Sequence, residues 1–192
     1  MNLQWLGRFA MLGAPFLLID FLVNGMGDAQ DKSALSGFCC LLFISGWMCS
    51  IIGLWQLEAA GSSPWGRMVL LLQLLFLSLA NVSNVLMLLQ IGIGTRLFVI
   101  LDLFWPISNI WMLVTGIMVL TAMQLHGWMR VVPLLAALWL PLALFLFSVI
   151  MGGTLESMLF SGAYSATAWM LMAYVVFRLG TKPQISNAYA LS

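Results

Sequence analysis

Long apolar runs broken by short polar stretches dominate this chain. Crossing about 30 Å of hydrocarbon takes about 20 helical residues, and six runs reach or approach that length. The first extends from Leu6 to Gly25 and stops at Gly27-Asp28-Ala29-Gln30-Asp31-Lys32. The second spans Ala34 to Leu57, before Glu58 and the turn set Gly61-Ser62-Ser63-Pro64. The third covers Met68 to Ile91 and the fourth Leu97 to Met123, parted by Gly92-Ile93-Gly94-Thr95-Arg96. The fifth runs from Val131 to Met151 and the sixth from Leu155 to Leu179. Runs this long and continuous predict helices, because a membrane barrel needs short segments of alternating polarity. Pro15, Pro106, Pro133 and Pro141 fall inside spans, where a kink is tolerated. The fold class expected is all-α: a single six-helix transmembrane domain over residues 1–192, with no extramembrane domain. Short connections make successive helices antiparallel neighbours.

Composition excludes the other classes. Apolar residues make up 63% of the chain and charged residues 7%, against about 25% charged in soluble domains. Mean hydropathy is +1.07. A net charge of +1 rules out a nucleic-acid partner, whose phosphates demand a basic surface. The partner expected is the lipid bilayer, in a bacterial plasma (inner) membrane. Lys and Arg near the span ends set orientation. With the N-terminus inside, Arg8, Arg67, Arg130, Arg178 and Lys182 are inner, while Lys32 and Arg96 are outer. Trp5, Trp55, Trp65 and Trp128 then form an inner interfacial belt. The expected topology is N-in, C-in. A rival reading makes the first run a cleaved leader with Gly25-Met26-Gly27 as its small-residue site, but Asp20 interrupts its apolar region. The two halves share no alignable repeat.

Helical periodicity sorts polar and small residues onto faces. Ala10, Gly13, Asp20 and Asn24 share an arc of about 80° on the first helix. On the second, Cys39, Gly46, Ser50 and Gly53 share about 60°, and Gly162, Ala166 and Ala173 do so on the sixth. Such small-residue stripes let helix backbones approach closely. They predict packing within one bundle, with a homo-oligomer or membrane partner subunit as the other reading. The fifth run has almost nothing polar before Ser148 and is expected to be the most lipid-exposed.

The carboxylates carry the sharpest signal. An Asp at mid-helix costs roughly 2.5–3.5 kcal/mol on insertion scales, so Asp20 and Asp102 should face the bundle interior. With Asn24, Asn84 and Glu156 they reach one depth in the outer half, which predicts an outward-facing polar cavity. Asn81 and Asn109 are further candidates, and Asn109 nearly eclipses Asp102 about 10.5 Å along the axis. Trp105 and Tyr164 lie at similar depth, where aromatic faces attract an organic cation. The candidate ligand-binding set is therefore Asp20, Asn84, Asp102, Trp105, Asn109 and Tyr164. Two carboxylates in one cavity repel each other, so the pair is expected to share a proton and exchange it for a cation. The structural alternatives are Asp20 clamped to Asn81 or Asn84, Asp102 paired with Arg96, and Glu156 as a first-turn acid favoured by the helix dipole.

Other chemistry is missing. The sole histidine, His126, sits at an inner connection, which excludes bis-histidine haem and a His-based zinc site. Cys39, Cys40 and Cys49 lie in an apolar run and read as buried small side chains. No lysine occupies a span, and no glycine-rich phosphate loop occurs. No cofactor, metal site or catalytic residue is expected, and an enzyme would have to use Asp20, Asp102 or Glu156 as acid or base. Two readings follow: a membrane protein that binds or transports a small cationic or neutral molecule, or a passive membrane subunit, scaffold or sensor partner.

Overall fold

The computed structural model describes residues 2–24, 32–152 and 154–181. The suggested cleavage site at Gly25-Met26-Gly27 and the inner charge Lys182 lie outside the described residues. Every regular element described is helical. Five helices are long and apolar enough to cross a membrane, and a sixth segment is bent. The helices mark an integral membrane protein.

Prolines explain where spans break. The first span, Leu3–Asn24, consists of α1 (Leu3–Gly13) and α2 (Phe16–Asn24). Pro15 has no N–H for the carbonyl of Met11, and its ring crowds that turn. The second span is α3 (Ala34–Gln56), started by Ser33, whose hydroxyl accepts from the Ser36 N–H at 3.0 Å. The third is α4 (Pro64–Leu88), four residues earlier than expected at its start. Ser63 accepts from the Gly66 N–H at 3.1 Å and Pro64 takes the first helical position, where a missing N–H is harmless. The turn set before Arg67 is thus partly a helix start, and Arg67 sits within the helix, 2.8 Å from Glu58.

The fourth span divides into α5 (Arg96–Asp102) and α6 (Phe104–Ala122). Pro106 removes the donor that the Asp102 carbonyl would have used, so the break falls beside the carboxylate. The fifth departs furthest from expectation. A 3₁₀ turn at Gly127–Arg130 leads into α7 (Val132–Ala137), α8 (Trp139–Leu142) and a π-helical stretch over Ala143–Ile150. Segments Gly127–Ala137 and Trp139–Phe145 meet at 47°. Pro141 deprives the Ala137 carbonyl of its partner, which places the bend at Leu138. The last helix is α9 (Leu155–Thr181).

The spans close into a ring. The first packs on α3 and α9, α3 on α4, α4 on α6, α6 on α7, and α7 on α9, while α3 also touches α9 across the middle. The fifth segment divides between core and periphery. Val132, Ala136, Ala137 and Trp139 are buried, whereas Leu135 and Leu138 of the first half and Leu144, Phe145, Val149 and Ile150 of the second are exposed. Of the five long spans the fourth is the least buried. A lack of polar residues marks lipid contact poorly when the small side chains of Ala136 and Ala137 favour close packing instead. Leu144 is 61% exposed; Leu144→Ala is expected to change stability by less than about 0.5 kcal/mol. Thermal melting in detergent checks this, and a large loss would mean that this face is covered.

Small residues hold the ring together. A Cβ on Gly13 would lie 2.6 Å from the Leu42 carbonyl oxygen and 2.9 Å from the Gly46 Cα. The α1–α3 contact therefore depends on glycine from both sides. Gly53 meets Val176 of α9, and Gly162 meets Leu18 and Phe21 of α2. These stripes face partners inside the bundle.

Candidate functional site

A cavity of about 240 Å³ opens near the end of the ring where α2, α4 and α5 meet the start of α3. Asp20 and Phe21 reach it from α2, Cys40 and Phe43 from α3, and Asn84 from α4. Lys32, Asp102 and Trp105 complete its polar and aromatic lining. Four of the six residues expected to bind a ligand thus share one cavity: Asp20, Asn84, Asp102 and Trp105.

Asp20 is 8% exposed. Its Oδ1 accepts from Asn24 Nδ2 at 2.6 Å, one helical turn on, and its Oδ2 accepts from the Cys40 thiol at 3.9 Å. The Asn24 Oδ1 in turn accepts from the Ser33 hydroxyl at 3.1 Å. The residue that starts α3 therefore orients the amide that orients the carboxylate. All these donors are neutral. Among the described residues no cation pairs with Asp20. Neither of the clamps considered for it, Asn81 or Asn84, bonds to it. Asn84 donates to Asn81 Oδ1 at 3.2 Å, and Asn81 donates to the Ser45 hydroxyl at 3.1 Å.

Asp102 has a cation partner, and it is not Arg96. Lys32 Nζ lies 2.5 Å from Asp102 Oδ2 and 4.5 Å from the Phe98 ring centroid. The Lys32 carbonyl accepts from Gln90 Nε2 at 3.1 Å, which ties this lysine to the end of α4. Arg96 is exposed. The expectation of two carboxylates sharing one proton gives way to one carboxylate neutralised by a lysine and one hydrogen-bonded by neutral groups.

The aromatic wall continues into the core. Trp105 meets Trp139 edge-on at 5.3 Å, and Trp139 meets Trp169 at 6.4 Å. Trp169 contacts Trp47 at 4.9 Å and Phe43 at 5.3 Å. Phe43 and Trp105 therefore line the cavity as the ends of one chain of edge-on and tilted aromatic contacts from four spans.

Two candidates lie elsewhere. Asn109 is buried and donates to the Trp105 carbonyl at 2.9 Å, a bond within its own helix, and it does not line the cavity. The Tyr164 hydroxyl donates to the Leu135 carbonyl at 2.6 Å, tying α9 to α7. Glu156 is exposed in the first turn of α9, as its dipole reading requires. Sequence reasoning misses Lys32 and Cys40 and the apolar wall of Phe21, Phe43 and Met87. Lys32 entered only as an orientation charge, although its position just before the second span was the available signal.

Among the described residues no group of three or more His, Cys, Asp or Glu side chains could hold a metal ion. The chemistry on offer is charge and shape: a carboxylate largely shielded from solvent, a thiol, amides and aromatic faces. No family model, curated protein or solved structure matches this chain.

Proposed function

We propose that this is a six-span protein of a bacterial inner membrane, with both termini inside, that binds or transports a small cationic or neutral molecule through an outward-facing cavity. The observation that carries this reading is the convergence of Asp20, Asn84, Asp102 and Trp105 on one cavity from three spans. A carboxylate in an apolar bundle costs several kcal/mol unless something compensates it, and among the described residues Asp20 has only neutral partners. The lining is mostly apolar, as in small-molecule sites where a few polar groups fix orientation.

A screen of small amines, alcohols and acids by thermal melting in detergent tests the reading. A ligand at 100 times its Kd adds about 2.7 kcal/mol to apparent stability. Asp20→Asn keeps the side-chain volume and is expected to leave folding intact while removing stabilisation by amines. Full stabilisation of that variant would take Asp20 out of the site.

The passive-subunit reading has one observation in its favour: Asp102 is already paired with Lys32. It predicts that no small molecule shifts the melting temperature and that Asp20→Asn behaves like the wild type.

Orientation has its own test. Ser62, between α3 and α4, and Arg96, at the start of α5, are both exposed. In a background lacking the native cysteines, Arg96→Cys is expected to react with an impermeant maleimide in intact cells and Ser62→Cys to react only after lysis. The reverse pattern would invert the topology.

A further inference from the structure

The charges around the cavity specify more than a preference for cations. This inference rests on the reading that the cavity binds a small molecule. Its charged lining groups among the described residues are Asp20, Asp102 and Lys32. Lys32 sits on Asp102 at 2.5 Å with its ammonium over the Phe98 ring, and the Gln90 side chain holds its backbone. One carboxylate is therefore neutralised by a cation belonging to the chain. Asp20 is more than nine-tenths buried and takes its hydrogen bonds from an amide and a thiol. With Asp20 ionised, the described lining carries one surplus negative charge.

In a poorly polar cavity a surplus of either sign is unfavourable, because the charge is removed from water without a partner. A neutral occupant leaves the charge of Asp20 standing, and a dication replaces it with an uncompensated positive charge. A single positive charge balances it. The walls decide the rest of the molecule. Phe21, Phe43, Met87 and Trp105 offer apolar and aromatic surface, which suits an organic body and a cation–π contact. Bare Ca²⁺ and Mg²⁺ need several oxygen ligands, whereas this lining supplies two carboxylates and one of them is taken. Size follows by comparison: a dry apolar cavity of about 150 Å³ holds benzene, so about 240 Å³ has room for roughly ten non-hydrogen atoms.

We propose that the cavity takes an organic monocation, with one ammonium head on Asp20 and a compact apolar body against the aromatic wall, and that Lys32 sets the charge number at one by neutralising Asp102. Lys32 thus acts as a built-in counter-ion that excludes diamines.

The test uses the full chain in detergent with phenethylamine, its neutral analogue phenylethanol and the dication hexamethylenediamine. Apparent affinities come from the ligand dependence of thermal melting. Wild type is expected to bind phenethylamine at least about tenfold more tightly than either other probe. Lys32→Met frees the Asp102 charge and should reverse the order of the two amines. Breaking one half of a pair can itself unfold a protein, so the double variant Lys32→Met with Asp102→Asn is measured beside it. That variant still carries one negative charge and should keep the preference for phenethylamine. Wild type favouring the diamine or the alcohol would overturn the monocation assignment and leave a ligand-binding cavity standing. A double variant favouring the diamine would overturn the role given to the Lys32–Asp102 pair. Melting unmoved by all three probes would sink the cavity reading and this inference together.

Discussion

Gly46→Leu is expected to leave little or no folded protein. A Cβ at position 46 would stand 3.0 Å from the Gly13 Cα and 3.2 Å from the Ala10 carbonyl oxygen. Those are backbone atoms of a neighbouring helix, which cannot rotate away as a side chain can. Overpacking by a few methylenes costs about 1–3 kcal/mol in a core that can adjust, so a leucine against backbone should cost on the order of 3 kcal/mol or more. Gly53→Leu meets the branched side chain of Val176 and should be nearly as damaging. Size-exclusion profiles and melting curves in detergent report both. A Gly46→Leu variant that elutes and melts like wild type would mean that α1 and α3 do not pack through this stripe.

Trp169→Ala is the second large effect, expected at about 3–5 kcal/mol. The indole is 2% exposed and contacts Phe43, Trp47 and Trp139. Its removal leaves a void where α3, α8 and α9 meet, and aromatic contacts add to the loss beyond buried area. Phe160 is 60% exposed on the same helix, so Phe160→Ala is the natural control and should stay close to wild type. Because Phe43 also lines the cavity, Trp169→Ala should weaken the binding proposed for it even where the protein still folds. Matching melting temperatures for the two variants would contradict the buried aromatic cluster around Trp169.

Run length and hydropathy identify spans well when a helix is continuous. The second span illustrates this, with an expected range of Ala34–Leu57 and an observed one of Ala34–Gln56. They fail where proline interrupts the ladder, since a run such as Val131–Met151 is equally apolar whether straight or bent by 47°. The polar faces show a similar division. Helical periodicity correctly turns Asp20 and Asn84 inward, because lipid penalises the outward alternative. It cannot say which helix stands opposite a given face. Tyr164 accordingly meets α7 instead of the cavity. The partner of Asp102 was equally out of reach, because Lys32 and Arg96 both flank spans at that end and only the ring order of the helices decides between them.

The pairing of Lys32 with Asp102 also bears on the order in which the protein is made. These residues are 70 positions apart, with the lysine first. Synthesis from the N-terminus therefore delivers the ammonium before the carboxylate emerges. The fourth span is broken by Pro106 beside its own acid. A carboxylate among apolar helices needs compensation, so the residue that supplies it here is already part of the chain when the helix that needs it is made.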